Sequence, residues 1–518
     1  SRMVEWFTQR LKEFGAAHVL RATHSAEGGP ADGLSGMLAR HFRTLGATDQ
    51  ETRQLVADAM GEAVSDTPYE LETMMQIVRP NLDQDRLSTG VQIATPSQRY
   101  AVIRRYLAHL ADDRPVVLVC DDTHWGSDTI DFVKFLRRHK PDEAGPLMVV
   151  LVATDEALAE RDDEREMLSE LSDQKKVETM GLDPLESVHH ERLVEELLML
   201  EGDLAREVVH RTSGSPLFAV ELIGDWVQRG VLEVGEHGFV LGDGVEPKIP
   251  DHLHAMWVQR IEALLGDYSD DISEAFELRD ALQLAAALGQ EVRHREWEKL
   301  CELAGVHLDE QFATELIERR FARRTENGWS FAHAILHESI ERLTRDEEKW
   351  AKHRRKCADL MEEMYDTSMP RVAERLGRYA MSAGEYERAL EPLLTGARGR
   401  RRRGEYRSAQ QLFSACLDCL DQMGVADRDP RWGEVWVARS RAYLNDDSPK
   451  EARRWAERAH RAAELHDWSA VGPQAAGWLA LAKQWLGEQD AYDDLLRAYE
   501  LLEDGETDRR MRGVYGSV

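Results

Sequence analysis

The stretch Val116-Val-Leu-Val-Cys-Asp-Asp-Thr-His-Trp125 is a run of five apolar residues followed at once by two carboxylates. An unbroken apolar run bounded by charges has the look of a strand buried on both faces, as in a parallel sheet. Its twin, Leu147-Met-Val-Val-Leu-Val-Ala153, lies beyond a helical segment from Thr129 to His139. Strand, helix, strand at this spacing predicts a parallel α/β sheet. Ligands bind at the carboxyl ends of such strands, and that is where Asp121 and Asp122 stand.

Toward the N-terminus, Val4 to Phe14 repeats apolar positions at helical spacing, and Ala17-His-Val-Leu-Arg-Ala22 reads as a short strand. Residues 97–111 are again helical. Beyond residue 180 strand signals nearly vanish and amphipathic helices dominate. The exception is Phe321 to Phe331, where Asn327-Gly328 between two β-prone runs signals a tight hairpin. Helices, one hairpin and a further helix suggest a winged-helix unit. From about residue 370 an echo appears: Gly384-Glu-Tyr386 with Ala389, then Gly404-Glu-Tyr406 with Ala409 and Phe413, and later Ala452, Ala456 and Ala459. Small residues where helices touch, with an aromatic one turn on, resemble the second helix of a tetratricopeptide repeat. Such hairpins bury their apolar faces on one another.

Composition sets bounds. At 518 residues the chain exceeds what one core supports, so about three domains are expected. A hydrophobic share of 42% and a charged share of 31% are ordinary for a soluble globular protein. The net charge of -30 opposes direct nucleic-acid binding, which runs on Lys and Arg. The basic cluster Arg398 to Arg403 sits in a helical context and reads as a solvated face. Five scattered cysteines fit a reducing, cytoplasmic setting. Cys416 and Cys419 have CxxC spacing but no second ligand pair nearby, so core cysteines are the expectation. No apolar stretch is long enough for a membrane span. There is no HExxH, GxSxG, kinase catalytic loop or His/Cys cluster at metal-ligand spacing.

In a P-loop ATPase the first of two strand-end carboxylates, here Asp121, holds Mg²⁺ through its water shell. The second, Asp122, orients or polarises the attacking water. Two solvated aspartates opening a turn would satisfy the same apolar run and acidic pair. The longer segment Asp121-Asp-Thr-His-Trp-Gly-Ser-Asp128 resembles the Asp-Asp-x-His-Trp-Ala-Asp Walker B segment of STAND ATPases, which include LuxR-type regulators and the ATPase halves of large bacterial Ser/Thr kinases. Arg211-Thr-Ser-Gly-Ser-Pro-Leu-Phe218 is similar to the Gly-x-Pro lid motif of that family, and Ile249-Pro-Asp-His-Leu253 to the entry of its winged-helix region.

The resemblance implies further roles. Pro216 would lie against the adenine; a helix boundary is the plain alternative. Trp329 to Leu336 is similar to the segment where related ATPases carry a histidine on the ADP β-phosphate, which makes His333 a candidate latch, although Ala334 replaces the aspartate of the better known version. A histidine satisfied at a helix N-terminus is the other reading. Thr154 sits where a sensor residue would read the γ-phosphate, or simply caps a strand end. The family often has an arginine close behind, where this chain has Asp155-Glu156, which speaks against efficient hydrolysis. Ser1-Arg-Met-Val-Glu-Trp6 is similar to the segment immediately after the Gly-Lys of a Walker A loop, so Ser1 would be a Mg²⁺-ligating hydroxyl. No GxxxxGK[ST] occurs in the sequence, and ATP/ADP and Mg²⁺ are expected to bind only where that loop is supplied.

The expectation is therefore an α/β parallel-sheet P-loop NTPase core, incomplete, over residues 1–180; a helical lid over 181–248; a winged-helix region over 249–365; and an α-solenoid of tetratricopeptide-like repeats over 366–518. Function is expected to be that of a nucleotide-dependent signal-transduction ATPase. A protein or small-molecule ligand would act on the repeats, nucleotide would govern self-association, and a kinase upstream or DNA-binding helix-turn-helix downstream would be the output. The alternative is a catalytically inactive scaffold acting through the repeats.

Overall fold

The computed structural model describes residues 1–25, 32–61, 68–79, 96–138, 145–159, 161–200, 202–228, 230, 232–234, 238–241, 253–268, 272–309, 311–325, 327–446 and 448–503. They form two compact units, one of residues 1–177, 366–381 and 385–518, the other of 178–365 and 382–384.

The first unit opens with α1 (Arg2–Glu13), β1 (His18–Thr23), α2 (Gly33–His41), α3 (Asp49–Met60), α4 (Pro68–Val78) and α5 (Pro96–Ala111). It continues with β2 (Val116–Asp121), α6 (Ser127–Arg138), β3 (Leu147–Leu151), α7 (Asp155–Ala159) and α8 (Asp162–Ser172). The three strands make a parallel sheet in the order β1-β2-β3, with His18 opposite Val116 and Val116 opposite Leu147. Every residue of β2 is buried, as an apolar central strand between two faces must be. Leu20, Leu118 and Cys120 pack on one face against Met37, Val102 and Phe132. Val149 and Leu151, in register with Leu118 and Cys120, pack on that cluster too and also meet Ile130, Val133, Met167 and Leu171. Each such side chain stabilises the fold by about 1.5–3 kcal/mol relative to exposure. Along β3 burial is only partial, and α1 buries none of its residues.

The same unit carries α18 (Pro370–Ser382), all but its last residue, and then α19 (Tyr386–Arg402), α20 (Tyr406–Gln422), α21 (Pro430–Asn445), α22 (Pro449–His466), α23 (Gly472–Trp485) and α24 (Ala491–Glu503). Successive helices from α19 pack on each other. The small residues of the echo sit where helices meet: Ala389, Ala409, Ala452, Ala456 and Ala459 are fully buried. Gly384 and Gly404, at φ +77° and +73°, turn the chain into α19 and α20. The echo therefore marks two consecutive helices, not the second helix of two successive hairpins, because both turns demand the same left-handed glycine.

The second unit holds α9 (Ser187–Arg192), α10 (Gly202–Thr212), α11 (Pro216–Gln228), β4 (Leu232–Val234), β5 (Phe239–Leu241), α12 (Leu253–Tyr268) and α13 (Ile272–Leu288). After these come β6 (Glu291–Arg293), α14 (His294–Ala304), α15 (Phe312–Glu318), β7 (Ala322–Arg324), β8 (Gly328–Phe331), α16 (Ala334–Asp346) and α17 (Trp350–Met364). Asn327 lies in the β7–β8 connection and Gly328 opens β8, with Arg324 opposite Trp329. Two elements escape the sequence pattern: the β4–β5 hairpin and β6, which joins β8 to make an antiparallel sheet in the order β6-β8-β7. Each of these strands is three residues long, too short for alternation to register. The Ile249–Leu253 segment lies outside the described residues except for Leu253, where α12 starts.

The expected solvated face at Arg398 to Arg403 is corrected by the structure. Arg401 and Arg403 are 9% and 6% exposed, and Arg400 is held between Glu374 and Glu405. Helix α19 packs on both sides, so a run of arginines cannot all face water. Cys416 and Cys419 are buried in α20 with thiols pushed up by burial.

Candidate functional site

Parallel pairing brings the carboxyl ends of β1, β2 and β3 to one edge. Asp121 closes β2 there, 4% exposed. The Ser1 hydroxyl donates to Asp121 Oδ1 at 2.8 Å across 120 residues of sequence, and the Arg21 guanidinium, from β1, closes on Oδ2. Burial works to raise the Asp121 carboxyl, but the hydrogen bonds from Arg21 and Ser1 and the charge of Arg21 outweigh it and hold the group below its ordinary value. Asp121 is therefore a carboxylate at any physiological pH.

The next residue is different. Asp122 sits in the left-handed region at φ 53°, ψ 44°, an uncommon place for a side-chain-bearing residue. The turn is pinned on both sides. Thr123 donates its N–H and its hydroxyl to the Val152 carbonyl at 2.8 and 2.7 Å. His24 Nδ1 lies 2.7 Å from the Asp121 carbonyl. A carbonyl only accepts, so Nδ1 carries the proton, and the lone pair of Nε2 receives the Thr129 hydroxyl at 2.9 Å. Burial keeps this histidine below its ordinary value and so neutral. Gly126 completes the fit, since a Cβ there would lie 2.6 Å from the His24 ring. The Asp122 side chain stays accessible to solvent, yet crowding by the protein, followed by the charge of Asp121, pushes its carboxyl up to about 6. Two adjacent acids thus differ in affinity for a proton, the arrangement by which one carboxylate serves as a fixed charge and its neighbour exchanges protons near neutrality.

The structure brings Ser1, Asp121 and Asp122 together. Thr154 follows β3 on the same sheet edge, exposed, with its carbonyl accepting from Leu158 N–H at the start of α7. Hard oxygen donors such as the Ser1 hydroxyl and the Asp121 carboxylate suit Mg²⁺ with water filling the remaining positions. Among the described residues no group of three or more His, Cys, Asp or Glu gathers as a metal site. Arg21 and His24 escape sequence reasoning. A charged residue between Leu20 and Ala22 in a short strand was the available sign for Arg21; His24 carried none.

In the second unit Pro216 is the exposed first residue of α11. It follows Gly214, whose φ of +80° and close approach to the Leu185 carbonyl admit no side chain. His333 stands at the N-cap position of α16 without a side-chain cap bond and reaches α11 instead: His333 Nε2 is 3.2 Å from Glu221 Oε1, and Arg260 meets the other carboxylate oxygen at 2.8 Å. Burial would raise Glu221, but the hydrogen bond and charge of His333, with Arg260, hold it down. His333 thus tethers the helix that Pro216 opens.

No known protein family and no curated protein matches the sequence. Among solved structures, the chain is similar to a Signal Transduction ATPase with Numerous Domains (STAND) protein with a tetratricopeptide repeat sensor from Pyrococcus horikoshii. The identity is 10% and the TM-score 0.38, over 98% of this chain and 72% of that one. A TM-score of 0.38 carries no argument, and the function has to be read from this chain's own geometry. Among the described residues no helix is long and apolar enough to cross a membrane.

Proposed function

We propose that the chain is a nucleotide-responsive signal-transduction ATPase module, a parallel-sheet core working with helical repeats that take a protein or small-molecule ligand. The observation that carries the reading is the hydrogen bond from Ser1 to Asp121, with Asp122 beside it at a proton affinity near neutrality. A hydroxyl and a carboxylate so paired are the donors that would hold Mg²⁺ on a bound ATP or ADP. Asp122 would accept the proton of the attacking water, Thr154 would face the γ-phosphate, and Pro216 would lie on the adenine. His333 would exchange its bond with Glu221 for the ADP β-phosphate, releasing α11. The helix–strand–helix–helix–strand–strand order from α13 to β8 is the order of a winged-helix unit. Nucleotide would shift the balance of two states, one of them self-associating, only through differential contacts with each.

The decisive experiment measures ATP binding and turnover in the chain preceded by a strand and a GxxxxGK segment, with and without Asp122→Ala. Turnover is expected to fall by about two orders of magnitude or more, the scale of losing a general base, while nucleotide affinity holds within about threefold. A second reading, a scaffold without turnover, is favoured by Arg21, whose guanidinium takes one oxygen of Asp121. Absence of turnover and of nucleotide binding before any substitution decides for the scaffold.

A further inference from the structure

Within the first unit, helices α5, α18, α19 and α20 enclose a cavity of about 450 Å³. That volume suits a small metabolite. Neither Asp121 nor Asp122 lines it, although His24, Gly126 and Thr129 from the turn beside them do. One end is built from guanidinium groups: Arg99 from α5, Arg371 and Arg378 from α18, and Arg400 and Arg403 from α19 and the turn after it.

Their countercharges fall short. Glu374 takes Arg378 and the Nε–Nη2 edge of Arg400, and Glu405 takes Nη1 of Arg400 at 2.9 Å and only the Nε of Arg403 at 3.1 Å. The nearby carboxylate of Asp128 is committed to the N-terminus of α20, accepting from Arg407 N–H at 3.2 Å and Ser408 Oγ at 2.5 Å. Arg99 is 9% exposed and Arg371 half-buried, and among the described residues neither makes a hydrogen bond or ion pair. Burial, followed by the charge of Arg403, pulls Arg371 down to about 10. Chains do not ordinarily bury unpaired guanidinium groups, because desolvation costs more than the packing returns. At this end five arginines outnumber the two glutamates on which they converge, while Asp32, Asp162, Asp163 and Glu164, with Arg161, line the cavity elsewhere. The adjoining wall is apolar, formed by Ile77, Ile103, Tyr100 and Leu34.

We propose that this cavity binds a small molecule through a phosphate group held by Arg99, Arg371 and the free fork of Arg403. A planar guanidinium matches phosphate with two parallel hydrogen bonds, and a monoester or diphosphate carries the double negative charge that the surplus lacks. An organic body, such as a nucleoside, covers the apolar wall. Because α5 belongs to the sheet core while α18 and α19 belong to the helical array, the bound phosphate joins the two parts of this unit, and ligand binding raises its stability by mass action.

The test is calorimetric titration of the full chain with inorganic phosphate, pyrophosphate and AMP, alongside the unfolding midpoint with each. Saturable binding of pyrophosphate and AMP is expected, with inorganic phosphate weaker because it leaves the apolar wall bare. Arg371→Met is expected to weaken binding by about tenfold or more, and its ligand-free midpoint to stay level or rise, since burial and the charge of Arg403 weigh against a guanidinium there. Arg371→Lys keeps the charge, loses the fork and serves should the first variant fail to fold; its affinity is expected between the two. No saturable binding of any of the three by the parent chain overturns the proposal. So does parental affinity retained in both Arg371→Met and Arg371→Lys, and above all affinity retained there but lost in Asp121→Asn, which assigns the phosphate to the sheet edge instead.

Discussion

The sheet edge at Asp121 and the arginine cluster around Glu374 both set carboxylates against guanidinium groups, and they are unbalanced in opposite directions. At the edge, two adjacent aspartates share one arginine, and Asp122 is left with its carboxyl at about 6. In the cluster, five arginines share two glutamates, and Glu405 is held down to about 2 by Arg403 and Arg400 despite its burial. Each region leaves a charge open, negative in one and positive in the other. An acid-rich edge suits a cation and the water it carries; a guanidinium-rich cavity suits an anion. The comparison separates the charges that hold the fold from those kept for a ligand. On the two proposals above, Glu374 and Arg400 belong to the first kind, Asp122 and Arg371 to the second.

The largest expected effect tests that division on the structural side. Glu374 is 3% exposed and accepts hydrogen bonds from both Arg378 and Arg400. Glu374→Gln strips the charge and leaves both guanidinium groups short. Breaking a buried pair from one side costs about 3–5 kcal/mol, so the urea midpoint of the unit is expected to fall steeply. Asp121→Asn should cost less, because its partner Arg21 is 41% exposed and can turn to water. Equal losses at the two positions would erase the contrast.

That contrast also explains what could be read along the chain. The strand Val116–Asp121, its parallel neighbours and the two acids at its end were legible because one local pattern, an apolar run meeting two carboxylates, states them together. Ser1 was legible only through resemblance, since nothing local ties it to a residue 120 positions away. The arginine cavity was not legible at all. Arg99 lies in one helical stretch and Arg371, Arg400 and Arg403 in others, each with the periodicity of an ordinary amphipathic helix. Helical periodicity shows which face is polar; it does not show that another helix will cover that face. The same limit produced the mistaken solvated face at Arg398 to Arg403.

A middle-sized effect sharpens the boundary of the cavity. Gly404 has φ +73°, and a Cβ there would collide with Arg99 Nη1 and stand 3.0 Å from its Cζ. Gly404→Ala must strain a left-handed turn, at about 1–2 kcal/mol, and must also push the Arg99 guanidinium aside. A loss of about 1–3 kcal/mol in urea unfolding is expected, together with weaker binding of pyrophosphate. Stability lost with phosphate affinity unchanged would show that Arg99 does not hold the ligand.

The smallest effect has the opposite sign. Asp128 borders the arginines, yet burial, followed by the charge of Glu405, pushes its carboxyl up to about 6. Its proton affinity in the fold exceeds the ordinary value of 3.8, so between those values the folded chain holds more protons than the unfolded one and stability falls as pH rises. Above pH 6 the ionised carboxylate stands in the fold at a cost. Glu405 behaves in reverse: held down to about 2 from an ordinary 4.5, it contributes stability that is lost as pH falls through that interval. Asp128→Asn keeps an acceptor for Arg407 N–H and offers an amide donor to the Ser408 hydroxyl, while removing the charge. The unfolding midpoint at about pH 7.5 is expected to rise by about 2–4 °C, and the gain should shrink toward zero near pH 4, where the native carboxyl is already protonated. A gain of equal size at both pH values would mean that packing, not charge, limits this contact.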